Sequence, residues 1–267
     1  MSAYVIEETT SEDVKSLKVK YLESLLAPID GMWSTFVEMA DHYAVKLGEN
    51  IIGYCSINSE QKILQFYVEQ DHDDIYAQIL KELDVKGAIV ATNELQHLSL
   101  AMDHQASVVV NAHLFQCADD VELKEAIFSD GLIFRNVNMA ELQTAIDFAV
   151  EAIGAPEEWL HGYYSERINS GELIGLWNGE QLIATGECRP SANQKPYADL
   201  GMVVSADYRK KGLATEILRE MLHDCRKRGL KPICSTECEN IGARKAIANA
   251  GFTSQMRILD LSFGNSI

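Results

Sequence analysis

The spacing of hydrophobic and polar positions along the chain predicts two successive series of helices and strands. Apolar residues recur with helical spacing at Val14, Leu17, Tyr21 and Leu22 and again over residues 32–39, which predicts two helices within residues 8–40. Short runs that alternate in polarity or are rich in β-branched residues predict strands. These strands are 43–47, 50–57, 62–68, 88–91 and 107–117, with helices at 74–83 and 93–104 between the later ones.

The second half of the chain repeats this order of elements. After an acidic connection at residues 118–131, the pattern predicts helices at 139–153, 156–169, 212–229 and 240–250. The predicted strands of this half are 132–137, 173–177, 181–189, 197–204, 232–236 and 256–263. A shared order of elements in two halves indicates an internal duplication. We therefore expect two domains, residues 1–130 and 131–267.

The composition is typical of a globular protein and narrows the choice of partners. The chain has 267 residues, of which 47% are hydrophobic and 24% charged, and its net charge is −17. This charge argues against a general nucleic-acid binder and against binding to anionic membranes. Neither a long apolar run nor a signal peptide is evident, and the six cysteines lack metal-site spacing. We therefore expect reduced cysteines, no bound metal and a cytoplasmic location.

The charge is distributed unevenly between the two halves. Residues 1–130 contain 8 Lys, no Arg and 23 acidic residues, whereas residues 131–267 contain 6 Lys, 9 Arg and 17 acidic residues. Arginine is well suited to two-pronged recognition of phosphate and carboxylate. If the protein handles an anionic ligand, we expect the second half to bind it.

The segment 203–214 combines a strand, a tight basic loop and the start of a helix. The free N–H groups and the positive dipole end of a helix N-terminus form a site for anions. Arg209, Lys210 and Lys211 add positive charge, and Gly212 lets a phosphate approach the backbone without a Cβ in the way. The spacing matches neither a nucleotide P-loop nor a dinucleotide-binding turn. The alternative is an ordinary strand-to-helix turn with a solvated basic start.

The loop Arg209-Lys210-Lys211-Gly212-Leu213-Ala214 resembles the Arg/Gln-x-x-Gly-x-Gly/Ala loop of the GNAT acetyltransferase superfamily. In that family the amides of the loop hold the pyrophosphate of acetyl-CoA. The segment from Asn240 to Phe252 is similar to a second family motif, Asn-x-x-Ala followed by Gly-Phe. The resemblance covers residues 132–267 and implies acetyl-CoA as cosubstrate. The implied binding residues are Met202, Val203 and Val204 along the pantetheine, the loop Arg209, Lys210, Lys211, Gly212, Leu213 and Ala214, and Asn240.

One position departs from the family pattern. Many relatives carry a tyrosine seven residues after the motif asparagine, where it protonates the departing CoA thiolate, and the corresponding residue here is Ile247. Either another donor serves, such as Tyr208, Cys238 or water, or catalysis is impaired. Because the pKa of a thiol is about 8.5, the thiolate leaves without a strong acid, so the loss of the tyrosine need not abolish activity.

The first half resembles the same fold in its order of elements. The loop at the corresponding place, residues 69–74, holds four acidic residues and no Gly, Arg or Lys. Such a loop repels pyrophosphate. Asn93 falls where Asn240 falls in its own half. We therefore expect the first half to be a degenerate copy that does not bind CoA.

The resemblance implies an α/β fold of two GNAT-type modules, each a mixed twisted sheet flanked by helices. It implies an N-acetyltransferase that moves an acetyl group from acetyl-CoA to a primary amine by direct attack, with a small molecule or a protein amine as acceptor. Trp159, Tyr163 and Tyr164 either border the acceptor site or pack in the core. The alternative function is a non-catalytic acyl-CoA-binding regulatory module, which Ile247 makes plausible. The oligomeric state is left open.

Direct attack requires a neutral amine, and only about one lysine-like amine in 2,500 is neutral at pH 7. A carboxylate near the acceptor attracts the ammonium form and accepts its proton. We expect Asp199 to be this base, since many relatives carry an acidic residue at this place in the strand. Glu187 on the neighbouring strand is the second candidate. In the alternative, either carboxylate pairs with a nearby arginine such as Arg189.

Overall fold

The computed structural model describes residues 4–69 and 73–264, which form two compact units. The first unit contains the chain up to Leu114 together with the segment from Gln255 onward, and the second unit is Phe115–Ser254. Each unit has a mixed sheet with helices packed against it. The predicted α/β fold class is therefore confirmed.

The first unit begins with an edge strand for which the sequence pattern predicts no element. This strand, β1, pairs antiparallel with β2 from Tyr4↔Leu47 to Thr9↔His42. Within the unit the strands lie in the order β1-β2-β3-β4-β5-β12-β6. Its elements are β1 (Tyr4–Thr9), α1 (Lys15–Ser24), α2 (Gly31–Glu38), β2 (Asp41–Leu47), β3 (Asn50–Ile57), β4 (Lys62–Val68), α3 (Asp73–Glu82), β5 (Gly87–Ala91), α4 (Leu95–Asp103), β6 (Gln105–Gln116) and the last strand of the chain, β12 (Thr253–Phe263).

The second unit repeats the order of strand, two helices, three antiparallel strands, helix, parallel strand and helix. Its strands lie in the order β7-β8-β9-β10-β11. The helix after the third antiparallel strand, α7, buries its apolar stripe under the sheet, including Ile217, Leu218 and Met221. The elements are β7 (Leu132–Asn136), α5 (Leu142–Ile153), α6 (Glu157–Asn169), β8 (Leu173–Asn178), β9 (Gln181–Pro190), β10 (Tyr197–Val204), α7 (Leu213–Lys227), β11 (Lys231–Glu237) and α8 (Ile241–Ala250).

The division into units differs from the predicted boundary at residue 130 in two respects. The acidic connection belongs to the second unit, because Val121, Leu123 and Phe128 pack against the core of that unit. The last strand, β12, belongs to the first unit, where it pairs antiparallel with β5 from Ile258↔Ala91 to Ser262↔Gly87. Neither assignment follows from element order, since both depend on which core the apolar side chains reach.

The described residues contain neither a candidate membrane-spanning helix nor a candidate metal-binding cluster. None of the helices among them is long and apolar enough to span a bilayer. Within the same residues no group of three or more His, Cys, Asp or Glu side chains is placed to hold a metal ion. All six cysteines are free thiols, and only Cys238 is more than slightly exposed.

Candidate functional site: a cleft between β10, α7 and α8

Five consecutive backbone amides of the second unit are free to bind an anion. β10 ends at Val204, a short 3-10 turn follows at Ala206–Tyr208, and α7 begins at Leu213. Among the described residues, no oxygen accepts a hydrogen bond from the amides of residues 210–214. Unpaired amides in a turn that leads into a helix N-terminus form an anion-binding concavity. The loop therefore has the backbone donors that an anion site requires, and they have no partner among the described residues.

Gly212 caps this helix in a conformation that favours glycine. Its φ angle is +84°, and Lys210 two residues earlier is also left-handed, with φ +62°. A Cβ placed on Gly212 would meet no heavy atom within 4 Å. The requirement for glycine is therefore conformational rather than steric. The open space at this position is available to a ligand phosphate.

The three basic side chains of the loop differ in their contacts. Arg209 holds the loop in place, because its Nε donates to the carbonyl of Val204 at 3.0 Å and its Nη2 to the carbonyl of Ala152 at 2.9 Å. The Nζ of Lys211 lies 4.7 Å from the ring centroid of Tyr208. Lys210 is exposed. Arg209 thus holds the loop through two backbone carbonyls, and it lines the cleft together with Lys210.

β10 diverges from its parallel neighbour directly before the loop. It pairs with β9 over seven residues, from Ala198↔Pro190 to Val204↔Ala184, but with β11 only from Tyr197↔Lys231 to Asp199↔Ile233. The edge of β10 beyond Asp199 is therefore free on the side of β11. A cleft of about 670 Å³ opens there, and the predicted pantetheine residues Met202, Val203 and Val204 line it together with the loop.

The opposite wall of the cleft is one face of α8, most of which the sequence analysis missed. Gly242, Lys245, Ala246 and Asn249 line the cleft at the helical spacing i, i+3, i+4 and i+7. The signal was present in the sequence, since two small residues on the same face as a lysine leave room for a ligand beside a positive charge. The family motif drew attention to Asn240 alone.

Asn240 and Ile247 have structural roles at the two ends of α8. The Oδ1 of Asn240 accepts a hydrogen bond from the amide of Ala243 at 3.1 Å and so caps the helix. Ile247 is 1% exposed and packs in the core of the second unit. Of the alternative side-chain donors, Tyr208 lines the cleft and its hydroxyl accepts a hydrogen bond from Asn178 at 3.1 Å, whereas Cys238 is half-buried and lies outside the cleft lining.

Glu187 lies in a network with one aromatic and one basic side chain. Its Oε2 accepts a hydrogen bond from the hydroxyl of Tyr163 at 2.6 Å, and that hydroxyl accepts one from Arg189 at 2.8 Å. Burial and then the charge of Glu187 raise the pKa of Tyr163. The rings of Trp159 and Tyr163 are stacked with their centroids 4.4 Å apart, and Trp159 is 46% exposed. Tyr164 is buried in the core. The network holds a carboxylate beside an open aromatic face.

Asp199 occupies a more enclosed position than Glu187. It is 3% exposed and lies where β10 still pairs with both neighbours, opposite Arg189 on one side and Ile233 on the other. Directly opposed residues of antiparallel strands share a face, so Asp199, Arg189 and Glu187 all project from the same face of the sheet. Both carboxylates lie outside the residues that line the cleft.

The corresponding opening in the first unit is closed by a side chain. β4 pairs with β5 only at Lys62↔Gly87 and Ile63↔Ala88. Beyond Ile63, the edge of β4 that faces β5 therefore has no partner strand. There the Oε1 of Gln96 accepts a hydrogen bond from the amide of Val68, and its Nε2 donates to the carbonyl of Val68, both at 3.1 Å. The side-chain amide replaces a backbone partner.

The residues around this opening also differ from those of the second unit. Asn93 does not cap its helix, since its Nδ2 donates to the carbonyl of Ala27 at 2.6 Å. Glu69, at the start of the predicted acidic loop, forms an ion pair with Lys20. The middle of that loop, residues 70–72, lies outside the described residues.

Two family models match the chain. One, described as an acetyltransferase (GNAT) domain, matches residues 10–118, and the other, described as the acetyltransferase (GNAT) family, matches residues 138–252. Among curated proteins, none matches the chain.

Solved structures extend the similarity over both units. An acetyltransferase from the GNAT family of Colwellia psychrerythraea is 35% identical, with a TM-score of 0.91 over 97% of this chain and 100% of that protein. A GCN5-related N-acetyltransferase from Sphaerobacter thermophilus is 14% identical, with a TM-score of 0.73 over 97% and 95% of the two chains. A tandem GNAT protein from the clavulanic acid biosynthesis pathway is 12% identical, with a TM-score of 0.68 over 99% and 100%. The last two share the fold.

Proposed function

Because the chain belongs to the GNAT acetyltransferase family, with two GNAT domains in tandem, we propose that it is an N-acetyltransferase acting on a primary amine. Members of the family are acetyltransferases that use acetyl-CoA. The observation that carries the proposal is the run of five free amides at residues 210–214, directly beside the unpaired edge of β10.

The residues of the cleft fit acetyl-CoA in charge and in hydrogen-bonding capacity. The free amides at 210–214, together with Lys210 and Lys245 in the cleft lining and with Lys211 in the loop, would hold the pyrophosphate. The unpaired backbone of β10 beyond Asp199 would pair with the amides of the pantetheine, as an added strand pairs with a sheet edge. When bound, acetyl-CoA supplies a thioester whose acyl carbon an amine attacks directly. We propose direct attack without a covalent enzyme intermediate, since no motif for an activated nucleophile pair is evident in the sequence.

We assign acetyl-CoA binding to the second unit alone. In the first unit, Gln96 occupies the strand end that would have to pair with pantetheine. The sequence of that unit contains 19 acidic and 8 basic residues, a net charge of −11, which disfavours a ligand rich in phosphate. Both observations support the interpretation of the first unit as a degenerate copy.

Glu187 fits the role of general base better than Asp199, the first candidate from the sequence. Tyr163 and Arg189 hold its carboxylate in one orientation, and its side chain retains 16% exposure. Gly201, opposite Glu187 on β10, leaves open space beside it, because a Cβ there would approach only the Cβ of Glu187 at 3.7 Å. The exposed ring of Trp159 offers a cation–π surface to an ammonium group. Glu187 would therefore attract the amine and accept its proton.

Water is the proton donor that we propose for the departing thiolate. The position of the family tyrosine is held by Ile247, which is buried in the core. Because the pKa of a thiol is about 8.5, the thiolate is a good leaving group and requires little help from an acid at neutral pH. The same substitution favours the alternative function, a non-catalytic acyl-CoA-binding module, because such a module needs no acid.

Release of the CoA thiol distinguishes the two functions. The full-length chain is incubated with acetyl-CoA and each member of a panel of small-molecule amines and lysine-containing peptides, and free thiol is followed against a blank without amine. An enzyme releases CoA with at least one acceptor, and mass spectrometry detects the acetylated amine. Acetyl-CoA binding without release for any acceptor would support the non-catalytic module instead. The Gly212→Glu variant is the control for binding.

A further inference from the structure

The first unit contains a pocket of its own that the proposed acetyl transfer does not use. It has a volume of about 240 Å³ and lies between α1, the end of β4 and the start of α4. An apolar cavity of about 150 Å³ holds benzene, so this pocket admits a small organic molecule. Its walls include the aromatic residues Tyr21, Phe66 and Tyr67, and two titratable side chains, Glu94 and His97.

Glu94 is a buried carboxylate that keeps unused acceptor capacity. The residue is 3% exposed. Its Oε1 accepts a hydrogen bond from the amide of Ala91 at 2.7 Å, and its Oε2 accepts one from the hydroxyl of Tyr21 at 2.8 Å. A carboxylate offers about four acceptor positions, so two donors leave room for a further N–H group.

His97 is a buried polar side chain without a hydrogen bond. It is 1% exposed and lines the pocket, and among the described residues neither of its ring nitrogens has a hydrogen-bond partner. Its Nδ1 lies 3.6 Å from the Oε2 of Glu94, which is beyond hydrogen-bond length. Buried polar groups in native proteins are nearly always satisfied, and a group that lacks a protein partner at a cavity wall is available to a ligand.

The electrostatic character of the pocket favours a cation. None of the described residues that line it is Lys or Arg, and Lys20 on the neighbouring helix surface is paired with Glu69. The unit carries a net charge of −11. Aromatic rings next to a carboxylate form a common environment for an organic ammonium group, which they attract through the ring quadrupole.

We propose that this pocket is a second ligand site, which binds a small organic amine in its ammonium form. The ammonium group hydrogen-bonds to Glu94 and to a ring nitrogen of His97, and the apolar body of the ligand contacts Phe66, Tyr67 and the exposed Leu95 at the rim. The site is independent of the acetyl-CoA cleft of the second unit, and its ligand carries no phosphate.

Calorimetry with three ligands of one shape tests the charge requirement in the full-length protein. Benzylamine carries a positive charge at pH 7, benzyl alcohol none and benzoate a negative one. We expect benzylamine to bind at least about tenfold more tightly than either of the others. Tighter binding of benzoate would mean that a protonated His97 determines the charge of the pocket, and it would overturn the proposal. Absence of benzylamine binding at millimolar concentrations would overturn it as well.

Variants place the binding event in the first unit. Glu94→Gln keeps the shape of the side chain and should weaken this benzylamine binding event at least about tenfold. Glu187→Gln removes the carboxylate that we propose for the acceptor amine, so it should lower acetyl transfer and any benzylamine binding at the acceptor site while the Glu94-dependent binding event remains. The second variant thereby separates this site from the proposed function. If Glu94→Gln does not fold, Leu95→Lys places a competing ammonium group at the exposed rim, and Leu95→Gln is its neutral control. Equal benzylamine affinity in Leu95→Lys and Leu95→Gln, or in Glu94→Gln and the wild type, would refute the site.

Discussion

β4 of the first unit and β10 of the second diverge from their parallel neighbours after two and three paired residues, respectively, but the two openings are filled differently. The end of β10 leaves its backbone free along a cleft of about 670 Å³. The end of β4 bonds through both backbone groups of Val68 to the amide side chain of Gln96. A single side chain, Gln96 of α4, thus decides whether the edge of β4 remains available to a ligand.

The asparagines that precede α4 and α8 also differ in their partners. Asn240 caps α8, while Asn93, which precedes α4, donates to the carbonyl of Ala27. An asparagine at the same place in two related units is therefore not evidence of the same role. The partner that its side chain meets determines the role, and that partner comes from a different part of the chain.

The largest difference between the units should appear in catalysis. Glu187→Gln should lower kcat at least about 100-fold near pH 7, because general base assistance typically contributes about 10² to 10⁴ in rate. The deficit should shrink as the pH rises toward the pKa of the amine, about 10.4 for a lysine-like acceptor, since more of the amine is then neutral. The pH–rate profile measures both effects.

Asp199→Asn is the matched comparison for that experiment, and we expect it to have the smaller effect. A larger loss in Asp199→Asn, with the same approach to wild-type rates at high pH, would return the role of base to the more buried carboxylate. Wild-type rates in both variants at pH 7 would mean that the base lies elsewhere or that the acceptor arrives neutral.

Acetyl-CoA binding should depend on the loop of the second unit alone. Gly212→Glu places a negative charge where we expect a phosphate and loses one or two charged hydrogen bonds of about 1.5–3 kcal/mol each. We expect affinity to fall about 10- to 1,000-fold in calorimetry. Gly212→Ala is the control for backbone strain at φ +84° and should weaken binding less. Unchanged affinity in Gly212→Glu, or two equivalents bound by the wild type, would contradict the assignment.

Gln96 should contribute to stability without controlling the number of CoA sites. Gln96→Ala removes two hydrogen bonds worth about 0.5–1.5 kcal/mol each and should lower the free energy of unfolding by about 1–3 kcal/mol. Gln96→Glu keeps the acceptor for the amide of Val68 but places a carboxylate oxygen against the carbonyl oxygen of Val68, where Gln96 has a donor, so its cost should be at least as large. Denaturant unfolding measures this order. A second equivalent of bound acetyl-CoA in Gln96→Ala would mean that this side chain alone prevents binding in the first unit.

The smallest expected effect distinguishes the two asparagines. Asn240→Ala should lower the free energy of unfolding by about 1 kcal/mol through loss of the helix cap, while Asn240→Asp keeps an accepting oxygen and should have little effect. At Asn93 the side chain is a donor, so Asn93→Asp should destabilise the protein as Asn93→Ala does. Unfolding is measured without acetyl-CoA to exclude ligand effects. An equal cost for Asn240→Asp and Asn93→Asp would contradict the difference in roles.

The sequence by itself predicted most of the secondary structure and the tight basic loop between β10 and α7. The predicted bounds 50–57 and 62–68 agree with β3 and β4, and the helical and strand periods elsewhere are correct to within a few residues. These features depend on neighbours in sequence, as do the left-handed Gly212 and the free amides of a helix start. The edge strand β1 was missed because its pattern is short and partly exposed.

Only the tertiary structure decided which strand edge stays open, which core receives β12 and which groups surround each carboxylate. Gln96, Tyr163 and Arg189 belong to no sequence motif. Gln96 is 28 residues away from its partner Val68, and Tyr163 is 24 residues away from Glu187 and 26 away from Arg189. A hydrogen bond between distant residues depends on how helices pack on a sheet, and a local pattern of polarity holds no information on that packing. The sequence therefore determined the elements and the basic loop that contains Gly212, while long-range packing determined which strand edge stays open and which groups surround each carboxylate.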